Sequence, residues 1–195
     1  MSKCKPDKDI AETYSQYRRH MDSDKGVKSP FIVSDPKHNH PDSYAGEIDV
    51  SSSYPYGNTS ANCEIKRFSE FHYTFSYISD ALQSKIMARL DAGKGTHRNT
   101  APDIPLALTS VQTPHFHEYR EDGYLIAYPI EGIDYSSEAS THFGLSDGFS
   151  YFCKKLRIQS DNSSLPLFEF QPFGRLPFTD KETDPNINVD FTEID

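Results

Sequence analysis

Residues 115–130 read His-Phe-His-Glu-Tyr-Arg-Glu-Asp-Gly-Tyr-Leu-Ile-Ala-Tyr-Pro-Ile. Asp122-Gly123 lies between two runs rich in aromatic and β-branched residues, the strongest short-range signal for a β-hairpin. A three-residue loop needs positive φ at its last position, which Gly123 supplies without a Cβ clash. If Arg120 pairs with Tyr124, His117 faces Ala127 and Tyr119 faces Leu125. Side chains alternate along a strand, so His115, His117 and Tyr119 share one face and the two histidine Cα atoms stand roughly 6.5–7 Å apart. Phe116, Ile126 and Tyr128 take the other face, which reads as the core face. The histidine face is left for a cleft.

Upstream, residues 93–99 read Gly-Lys-Gly-Thr-His-Arg-Asn. The run predicts a loop rich in hydrogen-bonding groups. Arg98 can grip an anion such as phosphate through two N–H groups, and Asn99 can add an amide donor. The spacing of a phosphate loop is absent.

The ordered set Arg89-Leu90-Asp91, Gly95-x-His97-Arg98-Asn99, His115-x-His117-x-Tyr119 and Ala127-Tyr128-Pro129 resembles an uncharacterised bacterial family associated with phages and mobile genetic islands. The resemblance covers about 45 of the 195 residues. Ile126 and Leu125 depart from the family's tryptophan and polar residue. What the resemblance implies is a shared fold and a shared site, with no established activity. It also argues for a strand over 85–91, where propensity alone suggests a helix.

The remaining chain predicts an α+β fold. Phe71, Tyr73, Phe75 and Tyr77 fall at every second position, which makes 71–78 a strand with an aromatic inner face. Strands are also expected over 46–56, 64–68 and 165–170, with a turn at 58–62. Ser146 is a candidate N-cap for a helix over 146–158, with Phe149, Phe152, Cys153 and Leu156 at helical spacing. Ile10, Tyr14, Tyr17 and Met21 mark an amphipathic helix over 9–21, either packed on the domain or serving as an arm on a partner. Residues 103–113 read as a loop packing Leu106 and Leu108 against the hairpin. Residues 34–42 read as a solvated loop, although His38, His40 and Asp42 are spaced like metal ligands. The expected organisation is an N-terminal helical arm (1–28), one domain (29–175) built on a twisted, mainly antiparallel sheet covered by the C-terminal helix, and an acidic tail (176–195).

Composition restricts function. Twelve Tyr and thirteen Phe compensate for a hydrophobic content of 35%. A net charge of −9 without a basic cluster argues against nucleic-acid duplex binding and leaves RNA open as a substrate. Three scattered cysteines without a C-x-x-C motif exclude a zinc ribbon. A charged N-terminus and the lack of any long apolar run predict a cytoplasmic protein without a membrane segment.

Three readings compete for the site. One is a metal-independent acid–base centre of His97, His115, His117 and Tyr119, with Arg98 and Asn99 on a phosphate, in the manner of a ribonuclease or toxin. Another is a divalent metal held by His115, His117 and His97, with Asp91 as a further candidate. The third needs no cofactor: a binding or inhibitor module with a polar His/Tyr cleft and a protein partner. The sequence favours the third and leaves catalysis undecided.

Overall fold

A computed structural model describes residues 5–37, 40–66, 69–83, 85–136 and 143–171. The architecture is α+β. Strand alternation builds the sheet and aromatic side chains bind it to two helices. In β6 (Tyr73–Ser79) Tyr73, Phe75 and Tyr77 are fully buried and alternate with half-buried Thr74, Ser76 and Ile78. Phe71 stays outside, in the turn before the strand.

β6 lies near the middle of a nine-stranded sheet. Its neighbour on one side is β5 (Thr59–Ile65), followed by β4 (His40–Ser52). On the other side come β7 (Ile86–Asp91), then β10 (His115–Tyr119) and β11 (Leu125–Pro129). Beyond β4 the sheet is completed by β1 (Lys25–Val27) and, parallel to it, β12 (Ile158–Ser160). β3 (Asp35–Lys37) pairs with the first part of β4. A separate parallel pair joins β2 (Phe31–Val33) to β13 (Phe168–Phe170).

Both helices lie on the face of β6 that carries its aromatic side chains. In α2 (Leu145–Leu156), Phe152 stacks on Phe75, and Gly148 is forced by the Tyr73 hydroxyl, which would lie 2.1 Å from an added Cβ. Phe31, Phe75, Phe149 and Phe168 extend this contact into a cluster of edge-on and tilted rings. Each such ring contributes roughly 1.5–3 kcal/mol through burial. In α1 (Lys8–Met21), Asp7 caps the first turn by accepting from the Asp9 and Ile10 amides. Ile10 and Tyr17 are fully buried, so α1 takes the packed position. The Asp7 amide also donates to the Gly123 carbonyl, fixing the start of α1 on the hairpin turn.

Where α1 and α2 end, Lys25 is buried with its ammonium against four carbonyls. These belong to His20 (2.8 Å), Met21 (2.9 Å), Ser23 (2.9 Å) and Leu156 (3.1 Å). The helix dipoles place negative potential at both termini, where a cation is favoured.

His20 gives the fold an acid limit. Its Nδ1 donates to the Tyr54 carbonyl at 2.5 Å, its Nε2 accepts from the Tyr77 hydroxyl at 2.7 Å, and its ring stacks on Tyr77. Burial, opposed by the Tyr54 carbonyl and assisted by the Lys25 charge, lowers its pKa to about 4. An unfolded histidine titrates near 6.5. The neutral ring's contribution is therefore fully present above pH 6.5 and is lost as pH falls toward 4, because the unfolded chain binds a proton that the folded chain refuses. The expected loss is about 2–3 kcal/mol between pH 7 and 4.5. Urea midpoints at the two pH values check it: His20→Gln should flatten the dependence by that amount, and an equally steep variant rules His20 out.

Several sequence expectations need correction. The described part of 34–42 is strand and not loop: Asp35–Lys37 pair antiparallel with the start of β4, with Pro36 on the outer strand, where a missing amide is tolerated. His38 lies outside the described residues. The expected turn at 58–62 is mostly strand, because Thr59–Ile65 pair residue by residue with both β4 and β6. Ile158 leaves α2, which ends at Leu156 with Arg157 in the left-handed region (φ 57°). The N-cap is Gly144 and not Ser146. Leu106 is 90% exposed, so it packs on nothing. Residues 137–142, including His142, and the acidic tail beyond 171 lie outside the described residues.

Candidate metal centre

The hairpin register sets the site. Arg120 N donates to Tyr124 O, Gly123 has φ +79°, and His117 pairs with Ala127 as the sequence predicts. On its other side β10 pairs with β7, placing Asp91 opposite His115 and Arg89 opposite His117. β6 continues both rows, with Thr74 beside Asp91 and Ser76 beside Arg89. Residues paired in this way point to the same face, so two rows of polar side chains converge on the histidines.

His97 comes from a third segment. β8 (Thr96–Arg98) and β9 (Ser110–Gln112) form a small two-stranded flap. The three imidazoles form a tight group, with centroids 4.7 Å apart for His97–His117 and His115–His117 and 5.5 Å for His97–His115. One nitrogen from each lies within 4.8 Å of the others. The histidine face is therefore not an open cleft: His115 and His117 are 3% and 1% exposed, and His97 is half-buried.

Asp91 orders the group. Its Oδ1 accepts from Thr74 at 3.0 Å. Its Oδ2 accepts from Arg89 Nε at 2.9 Å and from His117 Nε2 at 3.0 Å. Burial works to raise the carboxyl's pKa, but contacts with His115 and His117 and the charge of Arg89 outweigh it and hold the group well below the usual carboxylate range. Asp91 is thus an anion, and at 3.0 Å His117 donates to it through Nε2, which makes the longer 3.3 Å approach of Arg89 Nη2 to the same nitrogen a contact and not a hydrogen bond. The lone pair of His117 is then on Nδ1, which is buried without a hydrogen-bond partner.

His115 has the complementary arrangement. Its Nδ1 donates to the Gln112 carbonyl at 3.2 Å, leaving the lone pair on Nε2. That atom is also buried without a partner, 3.6 Å from the Asp91 carboxylate oxygen. A lone pair facing an anion in a buried setting calls for a cation. Burial, opposed by the Asp91 hydrogen bond and helped by the Arg89 charge, lowers the His117 pKa to about 4. His97 is also lowered, chiefly by burial and then by His115 and Arg89. Both rings are neutral near pH 7, the state in which imidazole ligates a metal.

The other expected site residues lie elsewhere. Tyr119 packs edge-on to Tyr17 with centroids 5.7 Å apart, and its amide donates to the Tyr17 hydroxyl at 3.2 Å. It belongs to the hydrophobic core and not to a rim around the histidines. Arg98 is exposed and alternates with His97 along β8, so it faces away from the group. Asn99 is no anion donor, since its amide is consumed within the protein. Nδ2 donates to Leu108 O (2.7 Å) and Ala127 O (2.9 Å), and Oδ1 accepts from Ala127 N (2.9 Å). An acid–base centre with a phosphate clamp therefore lacks its expected tyrosine, arginine and amide.

Sequence reasoning did not find the roles of Thr74, Arg89 and the Gln112 carbonyl. Arg89-x-Asp91 on a strand does put two ionic groups on one face. Only the β7–β10 register brings that face to the histidines. Compared with known protein families, with curated proteins and with solved structures, the chain matches none. Among the described residues no helix is long and apolar enough to cross a membrane.

Proposed function

We propose that this chain is a metal-carrying binding module whose centre is His97, His115 and His117. The observation that carries the reading is a trio of imidazoles with one nitrogen each within 4.8 Å of the others, two of which also hold a buried, unpartnered nitrogen, His115 Nε2 and His117 Nδ1. Each of these two imidazoles donates through its other nitrogen, to Gln112 O and to Asp91, the arrangement that fixes the tautomer of a ligating histidine. A set of three imidazoles suits zinc and other late first-row divalent metals. The half-buried His97 side is where a further ligand would approach. The net charge of −9 fits a protein partner with a basic surface. A role in a phage or mobile-element system rests on the sequence resemblance alone.

Zinc titration of tag-free, chelator-treated protein tests the proposal. One equivalent should bind and, at about a hundred times Kd, stabilise the fold by roughly 2.7 kcal/mol. For a chain of this size that is a rise of roughly 5–10 °C in Tm. His117→Ala should abolish the rise. An unchanged Tm and no retained zinc in the wild type would overturn the metal reading.

A further inference from the structure

We propose that Asn99 is the positioning residue that holds His97 in the metal centre, an inference resting on the metal reading above. The flap that carries His97 is small. Its two strands have three residues each and pair with each other, outside the nine-stranded sheet. Two attachments hold the flap to the sheet beside the histidines: on the β9 side the Gln112 carbonyl accepts from His115 Nδ1, and on the β8 side, which carries His97, the Asn99 carboxamide makes the attachment. The carboxamide reads the outer strand β11 at Ala127, accepting from its amide and donating to its carbonyl as a neighbouring strand would. Ala127 is the register partner of His117. The attachment is therefore level with the ring that His97 must meet.

Residues 97 and 99 are two apart in extended chain and so project to the same side. Fixing Asn99 on Ala127 fixes His97 over His117. The second Nδ2 bond, to Leu108 O, and the Asn99 N to Thr109 O bond tie the same residue to the return leg of the flap. This position needs one acceptor and two donors on a short side chain. Aspartate lacks the donors, and glutamine is one methylene too long.

The metal makes the requirement stringent. Zn–N bonds of about 2.0–2.1 Å in tetrahedral geometry put ligand nitrogens roughly 3.3 Å apart. The three nitrogens here lie within 4.8 Å of one another, so binding must draw them closer, and His97 is the ligand that comes from outside the nine-stranded sheet. Asn99 brings the third ligand close enough for binding to complete the closure.

A double-mutant cycle with a metal-free control tests this. Asn99→Ala and Asn99→Asp should each weaken zinc binding about 10–100-fold, as His97→Ala does. Adding Asn99→Ala to His97→Ala should weaken it no further. A residue that merely stabilised the fold would weaken both backgrounds equally, and that outcome overturns the proposal. In the zinc-free protein, the NOE between the His97 and His117 ring protons should be present in the wild type and lost in Asn99→Ala, while amide exchange in β6 and β7 is unchanged. A retained NOE overturns the proposal whether or not zinc binds. A lost NOE in a protein that takes up no zinc supports the positioning role and rejects the metal reading.

Discussion

Lys25→Met is expected to cost about 3 kcal/mol of folding stability, a large share of the roughly 5–15 kcal/mol that a domain of this kind possesses. Opposing effects set that figure. The substitution strands the carbonyls of Met21, Ser23 and Leu156 in a buried setting, while the His20 carbonyl keeps the Ser23 amide and hydroxyl. An orphaned buried acceptor costs about 1–3 kcal/mol. It also removes the penalty of burying an ammonium, which here lowers the lysine's pKa to about 8 through burial. The carbonyls outweigh that relief because two helix ends lose their counter-charge together. Lys25→Arg should not restore stability, since a planar guanidinium cannot aim its donors at carbonyls converging on one point. Urea denaturation at pH 7 measures both variants. A loss below 1 kcal/mol for Lys25→Met would show that the cage contributes little.

The second large effect is expected at Asp91. Asp91→Ala should weaken zinc binding about 10–100-fold although Asp91 stands behind the ligands. Without the carboxylate, Arg89 Nη2, 3.3 Å from His117 Nε2, can donate to that nitrogen in place of the ring's own proton. The ring can then adopt the tautomer that puts the proton on Nδ1, the atom that must carry the lone pair. Arg89 also loses its partner at 2.8 Å, which leaves a half-buried cation beside the centre and opposes a second one. Asp91→Asn should fall between the two, because an amide oxygen still accepts while the charge is gone. Competition with a chromophoric chelator gives the three dissociation constants. If Asp91→Ala binds as tightly as the wild type, the carboxylate is structural only.

Where local chemistry decided the outcome, the sequence was readable. Asp122-Gly123 and the alternation on either side fix the hairpin register, and with it the shared face of His115 and His117. Tyr73, Phe75 and Tyr77 announce the core face of β6. Tyr119 misled because alternation does not govern what the last residue of a strand packs on; here it is Tyr17 of α1. Asn99 misled for a related reason. An amide near an arginine suggests an anion site, but the backbone of β11, 28 residues away, claims it. The expectation of a loop over 34–42 failed because prolines signal a loop, while the outer strand β3 tolerates Pro36. His97 lay in the right segment, but its meeting with the other histidines depends on the flap's own pairing and on Asn99, neither of which leaves a periodic trace.

The parallel pairing of β1 with β12 bears on how the chain is made. Lys25 aligns with Ile158, 133 positions later, and Phe31 aligns with Phe168. As the polypeptide leaves the ribosome, the meander β4–β7 can assemble from neighbours already in hand. The earliest-made strands must wait until the last have emerged. The short strands β1 and β2 are made before the meander and are completed after it, and a ribosome stalled after the hairpin would display Phe31 and Val27 to whatever chaperone is near.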